Sequence, residues 1–451
     1  MTKQDEKSNE QPDFTPWLAI KFFVPLALQA ASQSLTYPLV ATVVTRGSRG
    51  VLDLAAFAQS QSVMFLISAL AGGILTTGMV FGRDTAGFAQ YRRLVNRFMV
   101  GLLILQFVAC LPPFDGLIFR DMLGLTPEMQ RIARNVLFLC CPLQALFILR
   151  APGLVVLYNA RASGAANLAT VGRIVLTALI ARMFVRWGLI GYRMGVIALT
   201  LPVILELVLV TLLARPYVKR LPVRDVAEAG LKTQFAFTAP LSFGGVLLSA
   251  ASFMVGAFIS RAADPERMLA IHYITMGLVG PVNAAALRMQ AVSLAFPPQY
   301  KKDRRTFWFS FWAGCALAGV VLLMTYRPIA LWYFNKVQNL PLPDIPLAVR
   351  AMLLMTLLPI AQSMRGHAEG LAAWQRRPNA ILAGQAVNLA VLVSTLFLSL
   401  QFGMPGYMMG VTSILAAAIM TLVTIRLGLF WAELEESFGR APRGVRPSEG
   451  Q

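Results

Sequence analysis

The chain has 451 residues, of which 57% are hydrophobic and 14% are charged, and its formal net charge is +19. This composition is too apolar for a soluble protein of two or three domains, so it predicts a polytopic membrane protein. The basic residues lie in short loops between apolar runs rather than in one long tract. That pattern argues against a nucleic-acid partner and for contact with membrane lipids.

Twelve apolar runs predict transmembrane helices, since a helix needs about 20 mainly apolar residues to cross the hydrocarbon core. We number them spans 1 to 12 in chain order. Their predicted extents are 16–44, 52–81, 94–113, 133–158, 165–186, 193–214, 233–260, 268–297, 307–334, 348–374, 379–402 and 406–431. The predicted fold class is therefore an all-α polytopic membrane protein with about twelve transmembrane helices.

Lysine and arginine are more frequent in the two tails and in the loops after even-numbered spans than in the other loops. The positive-inside rule therefore predicts that both termini are cytoplasmic. The polar start MTKQDEKSNEQPDF predicts no cleaved signal. We expect a multi-pass protein of the cell membrane, of the bacterial inner-membrane type, that acts as a monomer.

The two halves of the chain resemble each other at a nearly constant spacing. Five residues recur 215 positions later: Phe22, Pro25, Leu26, Ser34 and Arg46 return as Phe237, Pro240, Leu241, Ser249 and Arg261. Four others recur after 217 positions: Pro142, Ala151, Gly153 and Leu154 return as Pro359, Ala368, Gly370 and Leu371. Because each half has an even number of spans, the repeats are predicted to be parallel and related by an axis along the membrane normal.

The repeat predicts two six-helix lobes that meet at a central cleft lined by spans 1, 2, 7 and 8. The N-lobe covers residues 16–214 and the C-lobe covers 233–431. A cytoplasmic linker, 215–232, joins them, and tails of 1–15 and 432–451 flank them.

This arrangement, with Pro25 and Pro240 early in spans 1 and 7, resembles the multidrug and toxic compound extrusion, lipid-linked oligosaccharide and polysaccharide flippase superfamily. Within it, the segment FMVGAFISRAADPERMLAIHYITMGLVGPVNAAALRMQAVSLAFPPQY is similar to the progressive ankylosis family of transporters. That similarity consists of a helix ending in Ser260 and Arg261, a helix interrupted at Gly280 and Pro281, and an exit at residues 295–297.

The resemblance to the progressive ankylosis family implies transport of anionic solutes, whereas other branches of the superfamily move cationic drugs or lipid-linked sugars. Many drug-exporting relatives carry a carboxylate in the first or seventh span for proton or sodium coupling. Spans 1 and 7 contain neither aspartate nor glutamate. We therefore expect a secondary transporter or exporter of an anionic solute that works by alternating access. The alternatives are a flippase for lipid-linked oligosaccharides and a cation-coupled multidrug exporter.

Three arginines are predicted to lie deep in the membrane. Arg150 and Arg365 each precede another arginine, Arg161 or Arg376, by eleven residues, or roughly 16 Å along a helix. Arg288 lies roughly 20 Å from Lys301, which follows span 8, by the same measure. A central charge costs at least about 2.5 to 3.5 kcal/mol, so such groups usually face a cavity or another helix. They predict a cationic cavity that binds a small anionic solute or a lipid-linked anion.

Other intramembrane ionisable residues leave two interpretations open. Arg173 either contacts the substrate or pairs with Glu206, and Glu369 either neutralises Arg365 or takes part in ion coupling. Glu206, Glu369 and His367 are the candidate groups for proton or ion coupling. The spacing of 217 aligns His367 with Arg150, although a histidine in a membrane helix also serves packing.

Residue patterns typical of enzymes are missing. The sequence has no HExxH, GxSxG or Walker motif and only two histidines, so we predict no catalytic residues. The four cysteines lack the spacing of metal ligands, so we predict neither a metal nor a cofactor. A channel is a further possibility, and saturation of flux would distinguish a transporter from it.

Overall fold

A computed structural model describes residues 14–33, 36–47, 51–123, 125–259, 261–300, 303–338 and 340–437. All regular elements in these ranges are helices, and most of them form the twelve predicted spans. In chain order the spans are Pro16–Gln33 with Thr36–Val44, Val51–Ala69 with Ile74–Phe81, Thr85–Ala109, then Pro127–Leu139 with Cys141–Leu149 and Ala151–Asn159, Ser163–Arg186, and Tyr192–Val218. Spans 7 to 12 are Leu231–Ile259, Pro265–Leu287 with Met289–Ala295, Arg305–Leu323, Ile345–Met355 with Leu358–Trp374, Pro378–Gln401, and Gly406–Ser437.

Proline explains several interruptions within spans. Span 4 is broken at Cys140 and Arg150, two residues before Pro142 and Pro152. A proline has no N–H to donate to the carbonyl four residues earlier, and its ring clashes with that turn, so the helix restarts at the proline. Pro359 accompanies the break in span 10 in the same way.

Some predicted limits were wrong. Span 3 begins at Thr85 rather than 94, capped by the Asp84 carboxylate, which accepts a 2.8 Å hydrogen bond from the Gly87 N–H. Its first half is basic, so hydropathy alone did not detect it. Span 9 ends at Leu323 rather than 334, and the chain then forms Arg327–Leu331, the π-helix Trp332–Val337 and the short 3₁₀-helix Leu342–Asp344.

Ten helical segments in the described chain are long and apolar enough to cross a membrane. Span 3 is not among them because Arg92, Arg93 and Arg97 fall in its first half and lower its hydropathy. The described apolar helix of span 1, Pro16–Ser32, is shorter. The all-helical, two-lobed membrane fold is confirmed, whereas the exact lobe limits and the cytoplasmic position of the termini stay predictions.

Backbone landmarks repeat in the two halves at a spacing of 215. Arg161 and Arg376, with φ of 57° and 58°, follow spans 4 and 10, and Gly188 and Gly403, with φ of 72° and 65°, follow spans 5 and 11. Since positive φ is uncommon for arginine, the matching pair marks the register of the repeat. At this spacing Arg150 corresponds to Arg365 rather than to His367, with which the spacing of 217 aligns it.

Two apolar grooves follow the seam between the lobes. One, of about 960 Å³, lies between span 1 and spans 8 and 9, and the other, of about 570 Å³, lies between span 7 and spans 2 and 3. Residues at the spacing of 215 occupy matching places: Ile20, Ala285 and Val320 line the first groove, and Phe235, Leu70 and Leu105 line the second. The grooves are therefore products of the internal repeat.

Small residues bring spans 8 and 10 into close contact. A Cβ at Gly370 would lie 2.6 Å from Ser293 Cβ and 2.7 Å from the Gln290 carbonyl oxygen, and one at Gly366 would lie 3.0 Å from the Leu287 carbonyl oxygen. Helices that approach this closely inside a membrane use glycine at the contact. The pair therefore fixes the distance between these spans in the C-lobe.

Gly370→Ala should lower the thermal unfolding temperature of the purified protein, because overpacking costs about 1–3 kcal/mol. Gly319→Ala is the matched control, since a Cβ at Gly319 meets nothing within 4 Å. That control should unfold at or slightly above the wild-type temperature. Equal melting of the two variants would contradict this close packing of spans 8 and 10.

Candidate functional site

The N-lobe contains a buried carboxylate held by two arginines. Glu206 of span 6 is fully buried, and its Oε2 lies 2.5 Å from Arg150 Nη1 and 3.6 Å from Arg173 Nε. Its Oε1 accepts a 2.7 Å hydrogen bond from the Thr170 hydroxyl. The break in span 4 at Arg150 and the facing sides of spans 5 and 6 bring these groups together. An ionised carboxylate is favoured because each of these three partners is a donor or a cation.

A chain of buried hydrogen bonds links this carboxylate to spans 1 and 4. Tyr158 donates its hydroxyl to Gln29 Oε1 at 2.7 Å, and the Gln29 amide donates to Thr170 Oγ1 at 2.8 Å. Thr170 then donates to Glu206. Each donor points toward the carboxylate, so the chain stabilises its negative charge. A side-chain amide stands in the middle, which makes the chain a positioning device rather than a path for protons.

Arg288 approaches the N-lobe network from the C-lobe. It is half-buried at the break in span 8, between Leu287 and Met289, and interacts electrostatically with Tyr158. No carboxylate oxygen of the described residues lies within 4.0 Å of its guanidinium. Arg288 therefore presents a positive charge at the seam between the lobes.

The C-lobe contains a second buried ion pair. Arg365, 1% exposed, donates from Nε to Glu369 Oε1 at 2.9 Å and from Nη2 to Gln385 Oε1 at 2.8 Å. The Gln385 amide also donates to Glu369 Oε1 at 2.9 Å. This three-residue ring compensates the charge of Arg365. A Cβ at Gly244 of span 7 would lie 2.9 Å from Gln385 Cγ, so the ring lies close to that span.

His367 faces away from Arg365, toward spans 9 and 12. Its Nδ1 lies 2.7 Å from Arg426 Nη2, and its Nε2 lies 3.1 Å from Thr306 Oγ1. A guanidinium offers only donors, so Nδ1 accepts and the proton of a neutral imidazole is on Nε2, donated to Thr306. Arg426 also lies 5.3 Å from the centre of the Phe307 ring. These contacts give His367 a structural role in addition to its predicted coupling role.

The predicted cluster of Arg150, Arg288 and Arg365 is not brought together as a single cationic cavity. Arg150 and Arg365 lie in different lobes, and each is paired with a carboxylate of its own lobe. Arg173 shares Glu206 with Arg150. Arg288 of the C-lobe lies close enough to Tyr158 of the N-lobe to act on it electrostatically. Because Arg150 and Arg173 share one carboxylate, one positive charge of the predicted excess stays with that N-lobe cluster, and the other is the charge of Arg288.

The lobes touch at the end of the bundle where residues 219–230 connect spans 6 and 7, which we call the linker end. Arg161 of the N-lobe lies 4.2 Å from the ring centre of Phe296 in the C-lobe. Its equivalent in the C-lobe, Arg376, lies 5.2 Å from the ring centre of Phe81 in the N-lobe. Phe81 and Phe296 are also 215 positions apart, so the two contacts are related by the repeat. Cation–π contacts of this kind contribute about 0.5–2 kcal/mol each.

Solved structures with the same fold are transporters by their descriptions. One is an outward-facing multidrug resistance MATE family transporter of the MOP superfamily, with a TM-score of 0.68, 15% identity, and 94% of this chain and 96% of that chain covered. A second is a MOP superfamily transporter from Pyrococcus furiosus, with a TM-score of 0.70, 14% identity and the same coverage. A third is MATE in the bent conformation, with a TM-score of 0.69, 16% identity, and 94% and 96% covered.

No protein-family model matches the chain, and no curated protein matches it. The structural likeness supports the superfamily fold expected from the sequence. It gives no support to the narrower resemblance to the progressive ankylosis family.

Glu206→Gln should destabilise the protein strongly, because Arg150 and Arg173 would stay buried without a negative partner. Breaking a buried ion pair by removing one side costs about 3–5 kcal/mol. Asp225→Asn, at an exposed position between spans 6 and 7, is the control and should change stability by less than about 0.5 kcal/mol. Thermal unfolding in detergent compares the two, and equal unfolding temperatures would refute the role of Glu206.

Proposed function

We propose that the protein is a secondary transporter that moves an organic solute across the membrane by alternating access between its two lobes. The observation that carries this proposal is the seam between repeat-related lobes, closed at the linker end by two equivalent arginine–phenylalanine contacts. Because these contacts join one lobe to the other, they can separate without unfolding either lobe. Opening the linker end would then expose the region between the lobes to that side of the membrane.

The related solved structures support a fold with several states. Their descriptions include an outward-facing MATE transporter and MATE in bent and straight conformations. Pro25 and Pro240 lie inside spans 1 and 7, where a proline removes a backbone hydrogen bond and lets a helix bend. We propose that these two spans bend during the transport cycle.

Coupling to a cation is the better-supported form of this function, because the fold is that of multidrug resistance transporters. With no carboxylate in spans 1 and 7, we propose Glu206 as the principal coupling group, with Glu369 and His367 as secondary candidates. Protonation of Glu206 would leave Arg150 and Arg173 uncompensated. The resulting rearrangement would pass through Thr170 and Gln29 to Tyr158 at the seam.

An anionic solute, or the anionic end of a lipid-linked one, is the second candidate substrate, and Arg288 is the observation that favours it. Arg288 lies near Tyr158 of the N-lobe, and its guanidinium has no described carboxylate within 4.0 Å. The Pyrococcus furiosus relative is described as having a binding pocket of reverse polarity that suggests a different function. That description is therefore compatible with transporters of this fold that differ in the charge of their substrates.

Cation coupling can be tested in proteoliposomes with imposed proton or sodium gradients. We expect uptake that depends on one gradient in the wild type, loss of that dependence in Glu206→Gln, and little change in Asp225→Asn. Each variant is first checked for a monodisperse elution profile, so that unfolding is not mistaken for uncoupling. Persistent gradient dependence after Glu206→Gln, Glu369→Gln and His367→Ala are combined would rule out these groups.

The sign of the substrate charge can be tested by a thermal-shift and uptake screen of cationic dyes, citrate, nucleotides and pyrophosphate. If the substrate is anionic, Arg288→Ala should weaken its binding at least about tenfold, and Arg288→Lys should weaken it less because the positive charge remains. If cationic dyes bind, Arg288→Ala should leave their binding unchanged or improve it. Binding of anions that is insensitive to Arg288→Ala would exclude this residue as their site.

A further inference from the structure

A small basic cavity lies at the linker end, outside the buried ion pairs of the two lobes. Its volume is about 240 Å³. Arg83, Asn159, Tyr217 and Arg220 supply its polar side chains, and residues 294–295 of span 8 supply a wall from the other lobe. No acidic residue is among the described residues that line it. Since a water molecule takes about 30 Å³, the cavity has room for a small anion with water.

The contacts that Arg83 makes within the protein leave some of its N–H donors available to a ligand. Its Nε donates to the Met79 carbonyl oxygen at 3.0 Å, and its Nη2 donates to the Leu294 carbonyl oxygen at 3.1 Å. A guanidinium has five N–H donors, so these two bonds orient the side chain and leave further donors at the cavity. The second bond also crosses from one lobe to the other.

The surrounding charges are predominantly positive. Arg161 donates from Nε and Nη2 to the Ala295 carbonyl oxygen, at 3.1 and 3.0 Å, directly behind the cavity wall. Burial lowers the pKa of Arg83, and the nearby Arg376 lowers it further, whereas Glu228 acts in the opposite direction. Burial also lowers the pKa of Arg161, with a smaller contribution from Arg83. An anion in the cavity would relieve this mutual repulsion.

We propose that this cavity binds a phosphate group, supplied either as inorganic phosphate or as the headgroup of an anionic lipid, and that binding stabilises closure of the linker end. The donors come from the ends of spans 2, 4 and 6, so they approach from several directions, as a tetrahedral oxyanion requires. Arginine is suited to phosphate through its planar pair of donors. Because residues 294–295 belong to the other lobe, separation of the lobes would remove one wall, so the ligand favours the closed state.

Binding is tested with purified full-length protein by thermal unfolding in millimolar inorganic phosphate, compared with chloride at equal ionic strength. A second arm compares mixed micelles containing phosphatidylglycerol with micelles containing only phosphatidylcholine. We expect the unfolding temperature to rise by a few degrees in at least one arm, and the arm that responds identifies the source of the phosphate group. No rise in either arm would overturn the proposal.

Variants show whether the response comes from this cavity. Arg83→Gln and Arg220→Gln should each weaken binding at least about tenfold, measured as the shift in the phosphate concentration that gives half of the stabilisation. Arg220 is exposed, so its replacement should leave the fold intact, and Arg92→Gln, at an exposed arginine of span 3, is the matched control. An unchanged response in both cavity variants would place the anion elsewhere.

Closure is tested separately from binding and from transport. Phosphate should slow amide hydrogen exchange in residues 289–296 in the wild type, and this slowing should be lost in Arg220→Gln. Phosphate that binds without changing exchange in this segment would overturn the proposed closure. These measurements involve no transported solute, so their outcome does not depend on whether the proposed transport function is correct.

Discussion

The ion pair that Glu206 makes with Arg150 and Arg173 is the interaction on which the N-lobe depends. A membrane interior cannot hold an isolated charge cheaply, so each of these side chains requires the others. Spans 4, 5 and 6 contribute one charged group each, and the pairing therefore sets their depth and rotation relative to one another. The hydrogen bonds from Thr170, Gln29 and Tyr158 then bring span 1 into the same arrangement. A change in the charge of Glu206 would consequently alter the arrangement of side chains at the seam.

The seam between the lobes is the second organising feature, and its contacts follow from the internal repeat. Each lobe offers the other an arginine and a phenylalanine at equivalent positions, so that Arg161 meets Phe296 while Arg376 meets Phe81. A second pair of contacts between the lobes is related by the repeat in the same way. The ring centres of Phe22 and Phe296 are 5.8 Å apart, and those of Phe237 and Phe81 are 5.2 Å apart. The energies of these reciprocal contacts add together at one end of the molecule. Breaking the contacts leaves each lobe intact. A modest energy can therefore decide whether that end is closed.

Much of this fold was predictable from the sequence because long apolar runs and a repeated spacing carry the information. The limits of span 3 were not, since the arginines in its first half lower its hydropathy although they are compatible with a helix that extends beyond the membrane. The pairing of Arg365 with Glu369 was accessible because residues four apart share a helix face. In contrast, the role of Arg426 was not predicted, since its partner His367 lies on another span and sequence spacing does not reveal such contacts. For the contacts at the linker end, the repeat reveals only that their residues are equivalent, because Arg161 and Phe81 recur 215 positions later as Arg376 and Phe296.

The places where the repeat fails show how the two lobes differ in buried charge. At the spacing of 215, Arg173 and Glu206 correspond to Asn388 and Thr421, which share a neutral 2.9 Å hydrogen bond. The same location thus holds an ionisable pair in one lobe and an uncharged pair in the other. A neutral pair keeps its hydrogen bond at any physiological proton concentration, whereas a carboxylate between two guanidiniums responds to the loss of its charge. The C-lobe has its own carboxylate, Glu369, but it pairs within a single helix and with Gln385, so its protonation would disturb fewer spans. In the proposed function, cation coupling therefore acts through the N-lobe, with the C-lobe as the partner against which it moves.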